Sequence, residues 1–311
     1  MFSNREYVLA VYKYKSFSNA AKKLYISQPS LSASIKRIET EIGAPLFDRS
    51  TNPLSLTEIG ERYVSLANEI ESIEQNFKTF VADSMHVVSG LVKIGGGSLS
   101  TSFVLPSLVS EFKKEHPKID FEIIEDSTQN LIDMLLNGRL DLVIDNVNVS
   151  NKSLTQHILM PEVFILAVPS HLPIKSELKE YSLTAEDIRN GVHKRENAPA
   201  VSLTKFKNEG FILLKSENDT GKRAKKLFKK HDISPNVIFK LDQQMTAYNM
   251  ASSGIGLTFI SDTLVTNNNY SPDILYYKLD DPEITRNIYI YTKANRYLSK
   301  ACTSFMENAI G

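Results

Sequence analysis

The stretch Glu58–Asp83 constrains the fold more than any other part of the sequence, because it lacks proline, has one glycine, and repeats apolar residues at spacings of four and three. This spacing predicts one continuous helix of about 39 Å, at 1.5 Å per residue, capped by Thr57. The apolar seam comprises Ile59, Tyr63, Leu66, Ile70, Ile73, Phe77 and Phe80. Such a seam favours dimerisation of two copies through the helix. A long amphipathic helix packed on its own domain is the alternative that the pattern also fits.

Residues 1–43 carry three short helical patterns. Ser18 is predicted to cap the second helix, Asn19–Leu24. Ser27 is predicted to cap the third helix, which has Pro29 in its first turn and stops at Gly43. Two short helices joined by a tight turn, the second presenting small polar and basic residues, indicate a helix-turn-helix.

A hairpin is predicted after the third helix, over residues 45–57. Two short apolar stretches flank the turn Ser50-Thr51-Asn52-Pro53, and Arg49 lies near its tip. The segment therefore forms the wing of a winged helix-turn-helix domain, residues 1–57. The long helix that follows is assigned to a linker and dimerisation segment, residues 58–89.

Basic residues are concentrated at the N-terminal end. Residues 1–57 carry eight lysines and arginines against four acids, although the whole chain of 311 residues carries 36 of each sign. A basic module attached to a mildly acidic body is the asymmetry expected when one end binds the phosphates of a nucleic acid.

From Gly90 onward, strand and helix patterns alternate. Strands are predicted at Leu91–Gly95, Ile119–Glu125, Asp141–Asp145, Phe164–Pro169, Phe211–Lys215, Val237–Leu241, Gly256–Ile260 and Asn287–Tyr291. Helices are predicted at Ser102–His116, Thr128–Arg139, Thr220–His231, Gln243–Ser253 and from Tyr297 onward, with residues 190–208 as loop. Alternation of this kind predicts an α/β domain on mainly parallel sheets, with two lobes facing a cleft. Lobe 1 is assigned to about 90–161 and 266–311, and lobe 2 to about 162–265.

Composition excludes several classes of protein. Cys302 is the single cysteine and the six histidines lie far apart, so we expect no disulfide, no bound metal and no cofactor. Charged residues stand where a signal peptide would need an unbroken apolar core: Arg5, Glu6, Lys13 and Lys15. The longest apolar run, Val163–Val168, is too short to span a bilayer. A cytoplasmic protein with no membrane partner is therefore predicted.

The sequence resembles the LysR-type transcriptional regulators over nearly its whole length. The resemblance rests on Ser16-Phe17-Ser18-Asn19-Ala20-Ala21, Ser27-Gln28-Pro29-Ser30-Leu31-Ser32, Gly138-Arg139-Leu140-Asp141-Leu142-Val143-Ile144 and Gly254-Ile255-Gly256-Leu257. It implies a winged helix-turn-helix, a linker helix and a two-lobed α/β effector domain like the periplasmic binding proteins. It also implies dimers that often pair into tetramers, and control of transcription through RNA polymerase.

The predicted partner of the first domain is double-stranded promoter DNA. The candidate contacts are Ser18, Asn19, Gln28, Pro29, Ser30, Ser32, Ala33, Ser34, Lys36 and Arg49. The amide of Gln28 can read a base edge, while Lys36 and Arg49 can neutralise phosphates. Ala33 departs from the family pattern, in which a longer polar or basic side chain is common.

The predicted partner of the C-terminal domain is a small-molecule effector. Ser98, Ser100 and Thr101 lie where the first strand meets the first helix, and free N–H groups there favour an anion such as a carboxylate. Simple capping of that helix by Ser100, Thr101 or Ser102 is the alternative. By the resemblance, Thr128, Asn146 and Leu203 also fall near the effector cleft. The lack of a basic residue at Asn146 argues against a strongly anionic effector.

Three other functions fit less well. An enzyme is disfavoured because no phosphate-binding loop, nucleophile elbow or H-E-x-x-H motif occurs. A solute-binding transport protein would need an export signal and would not need residues 1–89. A DNA-bending architectural protein would leave the 220-residue body unexplained. We therefore expect a transcription regulator in which the effector changes lobe closure, and so the spacing of two DNA-reading helices.

Overall fold

The computed structural model describes residues 1–51, 53–84, 90–172, 176–216, 218–266 and 271–311. The predictions that concern Asn52 and residues 85–89 lie outside the described residues. The chain divides into one unit of Met1–Val87, Asp133–Leu140 and Arg296–Ser299, and another of Val88–Ile132, Asp141–Asn295 and Lys300–Gly311. None of the helices in the described ranges combines the length and apolar character needed to cross a bilayer.

The N-terminal region contains three short helices, a two-stranded hairpin and one long helix. These are α1 (Arg5–Tyr14), α2 (Phe17–Lys23), α3 (Gln28–Ile42), β1 (Phe47–Asp48), β2 (Ser55–Leu56) and α4 (Glu58–Ser84). The strands β1 and β2 pair antiparallel, so the predicted wing is confirmed. Helix α4 runs continuously through the stretch predicted from the seam.

Two of the three predicted helix ends are confirmed. The Ser27 hydroxyl accepts a hydrogen bond from the backbone N–H of Ser30 at 3.3 Å, and Gly43 ends α3 in the left-handed conformation with φ +84°. The cap predicted for α2 at Ser18 is wrong. Ser16 has the extended backbone that a cap requires and accepts from the N–H of Asn19 at 3.3 Å, so the helix begins at Phe17.

Helix α4 starts against the hairpin, and its position depends on Gly60. A Cβ at Gly60 would lie 1.9 Å from the carbonyl oxygen of Leu46, so only glycine permits this approach. Thr57 holds the same junction, because its hydroxyl accepts from the N–H of Gly60 at 3.0 Å and donates to the carbonyl of Pro45 at 2.7 Å. The predicted cap at Thr57 is therefore confirmed.

Strands and helices alternate from Gly90 onward. The strands are β3 (Gly90–Gly96), β4 (Ile119–Glu125), β5 (Leu142–Asp145), β6 (Leu154–Pro169), β7 (Ser182–Leu183), β8 (Ala200–Val201), β9 (Gly210–Leu214), β10 (Asn236–Leu241), β11 (Leu257–Ser261), β12 (Ile274–Leu279) and β13 (Thr285–Lys293). The helices are α5 (Leu105–Glu115, preceded by a π-helical turn at Ser100–Val104), α6 (Thr128–Leu136), α7 (Ala185–Arg189), α8 (Asp219–Lys230), α9 (Gln244–Ser252), α10 (Asp262–Thr266) and α11 (Lys300–Ile310). The last helix starts three residues after the predicted Tyr297.

The long strand β6 joins two sheets and so defines two lobes. Its residues up to Val163 pair with β13, in the order β4-β3-β5-β13-β6, which we call lobe 1. Its residues from Phe164 onward pair with β11 and β12, in the order β10-β9-β11-β6-β12, which we call lobe 2. The sheets are mixed, because β13 and the two halves of β6 run antiparallel to their neighbours, whereas mainly parallel sheets were expected.

Two further expectations are corrected by the strand pairing. The return to lobe 1 was placed at residue 266, but β12 still pairs with the lobe 2 half of β6, and the chain re-enters lobe 1 only at Thr285. The segment 190–208, expected to be loop, contains strand β8 and short helical turns at Val192–Lys194 and Leu203–Phe206. Buried apolar residues spaced within that polar segment anchor it on the lobe 2 core.

Candidate functional site

Helix α3 presents a polar outer face. Leu31, Ile35 and Ile38 are buried, and Tyr63, Val64 and Ala67 of α4 belong to the same core. The predicted contacts that are exposed are Ser18, Asn19, Gln28, Pro29, Ser30, Ala33, Lys36 and Arg49, while Ser32 and Ser34 are half-buried. Ala33 lies opposite the buried stripe, so nothing longer than a methyl group projects from the centre of this face.

Gln28, Ser32 and Arg49 have side-chain partners within the domain. The Gln28 amide donates to the hydroxyl of Ser32 at 2.9 Å. The guanidinium of Arg49 lies 3.4 Å from the carboxylate of Glu39 and 5.0 Å from the ring centre of Phe17. These contacts hold Arg49 beside α3 while leaving its side chain 53% exposed.

Sequence reasoning missed Tyr25, in the turn between α2 and α3. Its side chain is 95% exposed, and its backbone is in the left-handed region with φ +56°. A bulky residue with this φ is uncommon, and the turn holds it next to the start of α3. The available signal was its place in the turn, directly before Ile26 and the cap Ser27.

The seam of α4 divides into two parts. Tyr63 is 4% exposed, stacks on Phe2 with ring centres 4.6 Å apart, and donates to the carbonyl of Met1, so it belongs to the domain's own core and the dimerisation role predicted for it is wrong. Leu66 and Ile70 are half-buried.

The remaining seam residues carry large exposed apolar side chains. Ile59 is 46% exposed, Ile73 and Phe77 are each 67% exposed, and Phe80 is 50% exposed although its ring meets Tyr297 edge-on. The distal part of the helix therefore offers an apolar stripe of Ile73, Phe77 and Phe80, whereas the proximal part has Tyr63 in the domain core and Ile59 exposed.

A cleft of about 900 Å³ separates the lobes of the C-terminal domain. Lobe 1 lines it with residues 97–100, 102–103, 125–129, 145–147 and 149, and lobe 2 with residues 215, 218–220, 222 and 242–245. These segments follow β3, β4 and β5 in lobe 1 and β9 and β10 in lobe 2. The carboxyl ends of parallel strands thus meet at the cleft, as in other open α/β folds.

Four of the six predicted effector contacts line the cleft: Ser98, Ser100, Thr128 and Asn146. Thr101 does not; its hydroxyl donates to the carboxylate of Glu125 at 3.0 Å and also lies 3.2 Å from the carbonyl oxygen of Gly97. Leu203 does not either. It is 1% exposed and packs in the lobe 2 core, where its apolar side chain is removed from water.

The start of the first helix also differs from the prediction. Helical residues begin at Ser98, so Ser100, Thr101 and Ser102 lie within the helix and cannot cap it. A carboxylate of the protein already lies beside this turn, because a Cβ at Gly97 would be 3.7 Å from Oδ2 of Asp145. An acidic side chain therefore lies close to the turn that was expected to attract an anionic effector.

Asp145 ends β5 at the base of the cleft and is 5% exposed. Its carboxylate accepts from the hydroxyl of Thr128 at 2.9 Å and from the backbone N–H groups of Asn146 and Val147 at 2.7 and 3.2 Å. Burial raises the pKa of Asp145 despite these donors and the charge of Arg286. The cleft thus contains a carboxylate whose charge is poorly stabilised by its surroundings.

Behind the cleft, Arg286 is buried between two carboxylates. Its Nε donates to Glu162 and its Nη1 donates to Asp219 at 2.5 Å. Burial lowers the pKa of Arg286, but the charges of Glu162 and Asp219 outweigh that effect and raise it. Glu162 is wholly buried, also accepts from Ser261, and lies next to the crossover of β6 between the lobes.

Sequence reasoning missed most of the polar cleft residues. In lobe 1, Asp145 is the last residue of β5, Glu125 is the last residue of β4, and Asp126 follows it. In lobe 2, Asn218 follows β9 and Gln243 follows β10. The signal that could have found them is their position after predicted strands, since ligand sites of α/β folds gather at those ends.

Comparison with known proteins adds two family matches that together span nearly the whole chain. Residues 3–61 match the family model of the bacterial regulatory helix-turn-helix proteins of the lysR family, and residues 86–310 match that of the LysR substrate binding domain. An uncharacterized HTH-type transcriptional regulator of Bacillus subtilis, YcgK, is 26% identical over 307 residues, covering 97% of this chain and 91% of that protein.

Solved structures share the fold at low sequence identity. A full-length OxyR variant from Pseudomonas aeruginosa has a TM-score of 0.72 at 20% identity, covering 100% of this chain and 93% of its own. Full-length CbnR in complex with its target DNA has a TM-score of 0.67 at 16% identity, covering 99% and 98%. At these sequence identities, the two comparisons show that the fold is shared and nothing more.

Proposed function

The chain belongs to the LysR family of transcription regulators, and from this premise we propose that α3 enters the major groove of promoter DNA while the cleft binds the effector that controls this contact. The family is one of DNA-binding regulators with an effector domain, not of enzymes, and the protein acts by binding, without catalysis. We place this activity in the cytoplasm, where its DNA target lies. The organisation proposed is 1–57 for DNA binding, 58–89 as linker and 90–311 for the effector.

The exposed outer face of α3 is the main observation that supports DNA binding. A helix with Ala33 at its centre can approach the floor of the groove closely, and Gln28 and Ser30 at its start can reach base edges. Lys36, Arg49 and the hydroxyl of Tyr25 contact phosphates, which fix the position of the helix on the duplex.

Fluorescence anisotropy on labelled DNA from upstream of the gene tests these roles. Lys36→Ala should weaken binding to all sequences and lower the salt slope by about one, because one phosphate contact is lost. Gln28→Ala should lose about 1–3 kcal/mol of discrimination between bases. The matched control is Lys118→Ala, which removes an exposed lysine of the effector domain and should leave the affinity for DNA and the salt slope unchanged. Equal effects of Lys36→Ala and Lys118→Ala would contradict the proposal.

We also propose that the distal part of α4 pairs with a second copy, giving a dimer that can assemble into a tetramer. Ile73 and Phe77 support this, because large apolar side chains at heptad spacing rarely remain two-thirds exposed on a helix. Ile73→Glu should shift the mass measured by light scattering towards the monomer. Gln75→Glu places the same charge on the polar face of the helix and should leave the mass unchanged. A dimer that survives Ile73→Glu would refute the assignment.

For the C-terminal domain, we propose that the effector binds between the lobes and changes their closure. Ser98, Ser100, Thr128 and Asn146 are its proposed contacts in lobe 1. A change of closure would alter subunit packing, the spacing of the two α3 helices, and thereby DNA bending or contact with RNA polymerase. Footprints on the upstream DNA with and without effector test the coupling, and an unchanged footprint at saturation would contradict it.

The carboxylate predicted for the effector stays a proposal, but at a different place. Lys222 of lobe 2 lines the cleft, is exposed, and has no ion-pair partner in the described ranges. Nearby in the same lobe, α9 begins after Gln243, whose side chain makes no capping hydrogen bond. The cationic side chain of Lys222 and the positive N-terminal end of α9 both favour a carboxylate on the lobe 2 side.

A further inference from the structure

The charges that line the cleft are unequal. Among the residues that the structure describes, five carboxylates line it, against two lysines. Two of the carboxylates, both of lobe 2, are neutralised, because Asp242 pairs with Lys215 at 2.8 Å and Asp219 pairs with Arg223 of lobe 2 and Arg286 of lobe 1. The other three all belong to lobe 1: Glu125, Asp126 and Asp145. We call these three residues the acidic wall.

No lysine or arginine of the described residues forms an ion pair with the acidic wall. Glu125 accepts from the Thr101 hydroxyl at 3.0 Å, and Asp126 accepts from the Asn130 amide at 2.8 Å. The latter bond lowers the pKa of Asp126, so this group stays ionised at neutral pH. Neutral donors stabilise these carboxylates but do not cancel their charge.

Buried groups within and behind the wall add to the negative potential. Asp145 of the wall is 5% exposed and Glu162 behind it is wholly buried. Arg286 pairs with Glu162, and its charge also acts on Asp145. This one positive charge is also shared with Asp219. Because charges in a dry interior are weakly screened, an unbalanced carboxylate there attracts a cation strongly.

An anionic group is poorly suited to the lobe 1 side. The turn at Gly97 and Ser98 would be its natural place, but Oδ2 of Asp145 lies 3.7 Å from the position of a Cβ on Gly97. A carboxylate bound at this turn would lie near the carboxylate of Asp145, and the two like charges would repel each other. A metal ion is not the complement either, since no group of three or more acidic, histidine or cysteine side chains among the described residues converges closely enough to hold one.

We infer that the effector carries a protonated amine that binds the acidic wall, and that it belongs to the amino acids or the amines derived from them. This inference rests on the proposed function, which makes the cleft the effector site. The acidic wall indicates only whether the group that the effector presents to lobe 1 is positively or negatively charged. The ammonium group donates to a carboxylate of the acidic wall, and the remaining wall carboxylates add to the negative potential around it. A carboxylate on the same molecule is placed by Lys222 on the facing lobe, so an amino acid matches both sides of the cleft.

Thermal denaturation of the full-length protein with matched probes tests the inference. The probes are the twenty protein amino acids, the amines formed by their decarboxylation, and the acids that lack only the amino group. At least one amine-bearing probe should raise the Tm, and its deaminated counterpart should not. A panel in which no amine-bearing probe raises the Tm, or in which the deaminated acid stabilises equally, would overturn the inference.

Variants of the acidic wall test whether its carboxylates bind the amine. For the amine-bearing probe that binds, Asp126→Asn and Asp145→Asn should each weaken affinity at least tenfold in calorimetry. Asp126 is partly exposed, so its variant keeps the test valid if Asp145→Asn folds poorly. Glu122→Gln is the control, because it removes an exposed carboxylate of the same strand, β4, outside the cleft. Equal affinities in Asp126→Asn, Asp145→Asn and Glu122→Gln would refute the role of the wall.

DNA footprinting separates this inference from the proposed function. An amine that binds through the wall but leaves the footprint unchanged supports the charge class and contradicts effector control of DNA binding. A deaminated acid that binds the cleft and changes the footprint supports effector control and overturns the charge class.

Discussion

Replacing Arg286 by methionine should destabilise the C-terminal domain strongly. Arg286 is 6% exposed and donates to two carboxylates, Glu162 and Asp219. Asp219 would keep Arg223 at 2.8 Å, but wholly buried Glu162 would lose the guanidinium that balances it. A buried carboxylate without its partner cannot be hydrated, so the folded state carries the full cost of its charge.

The size of this effect follows from the burial of the pair. Removing one partner of a buried ion pair costs about 3–5 kcal/mol. The unit that contains Arg286 has about 210 residues, and for units of that size each kcal/mol lowers the Tm by about 2–4 °C. The Arg286→Met variant should therefore melt about 6–20 °C below the unmodified protein.

Differential scanning calorimetry of the full chain provides the assay. The matched control is Arg223→Met, since Arg223 makes the same kind of bond to Asp219 but is 25% exposed and should cost under about 1 kcal/mol. The double variant Glu162→Gln with Arg286→Met should recover part of the lost Tm, because no charge is left unpaired. A Tm for Arg286→Met within about 2 °C of the unmodified protein would refute this reasoning.

Three further changes are expected to affect folding. Gly60→Ala should cost about 1–3 kcal/mol in denaturant unfolding, because its Cβ would clash with the carbonyl of Leu46, whereas Ser65→Ala in the same helix should change little. Ser27→Ala should cost about 1 kcal/mol through loss of the α3 cap, and an unchanged helical melting curve would contradict that role. Asp145→Asn should raise the Tm of the ligand-free protein at pH 7, because the raised pKa of Asp145 means that folded-state stability falls as pH rises from the ordinary value of 3.8 through the raised one. That gain should shrink as the pH falls towards the ordinary value of 3.8, because the raised pKa lets the native carboxyl take up its proton before an unburied one does; a gain that does not depend on pH would exclude ionisation as its cause.

Local signals were sufficient for the N-terminal domain. The caps at Ser27 and Thr57 and the stop at Gly43 depend on residues within three or four positions of each helix end, so sequence alone could place them. The same kind of reasoning failed at Ser18, where two nearby serines could each cap α2 and only the backbone conformation at Ser16 decided between them.

Longer-range contacts decided which apolar and polar residues are available for function. The 4-3 spacing of α4 was readable, but it could not distinguish Tyr63, which packs on Phe2, from Phe77, which remains exposed. Leu203 was assigned to the cleft by resemblance alone, and packing placed it in the core.

The sequence by itself determined the helix-turn-helix, the wing, the long helix and the succession of strands and helices, because each depends on periodicity and on caps within a few residues. The tertiary structure alone decided the composition of the cleft. Its walls come from strand ends that are up to about 145 residues apart, from Gly97 to Asp242, and only the pairing through β6 and β13 brings the two lobes together. Charge balance depends on distance in space, so the neutralised Asp242 and the unbalanced Asp145 could not be told apart along the chain.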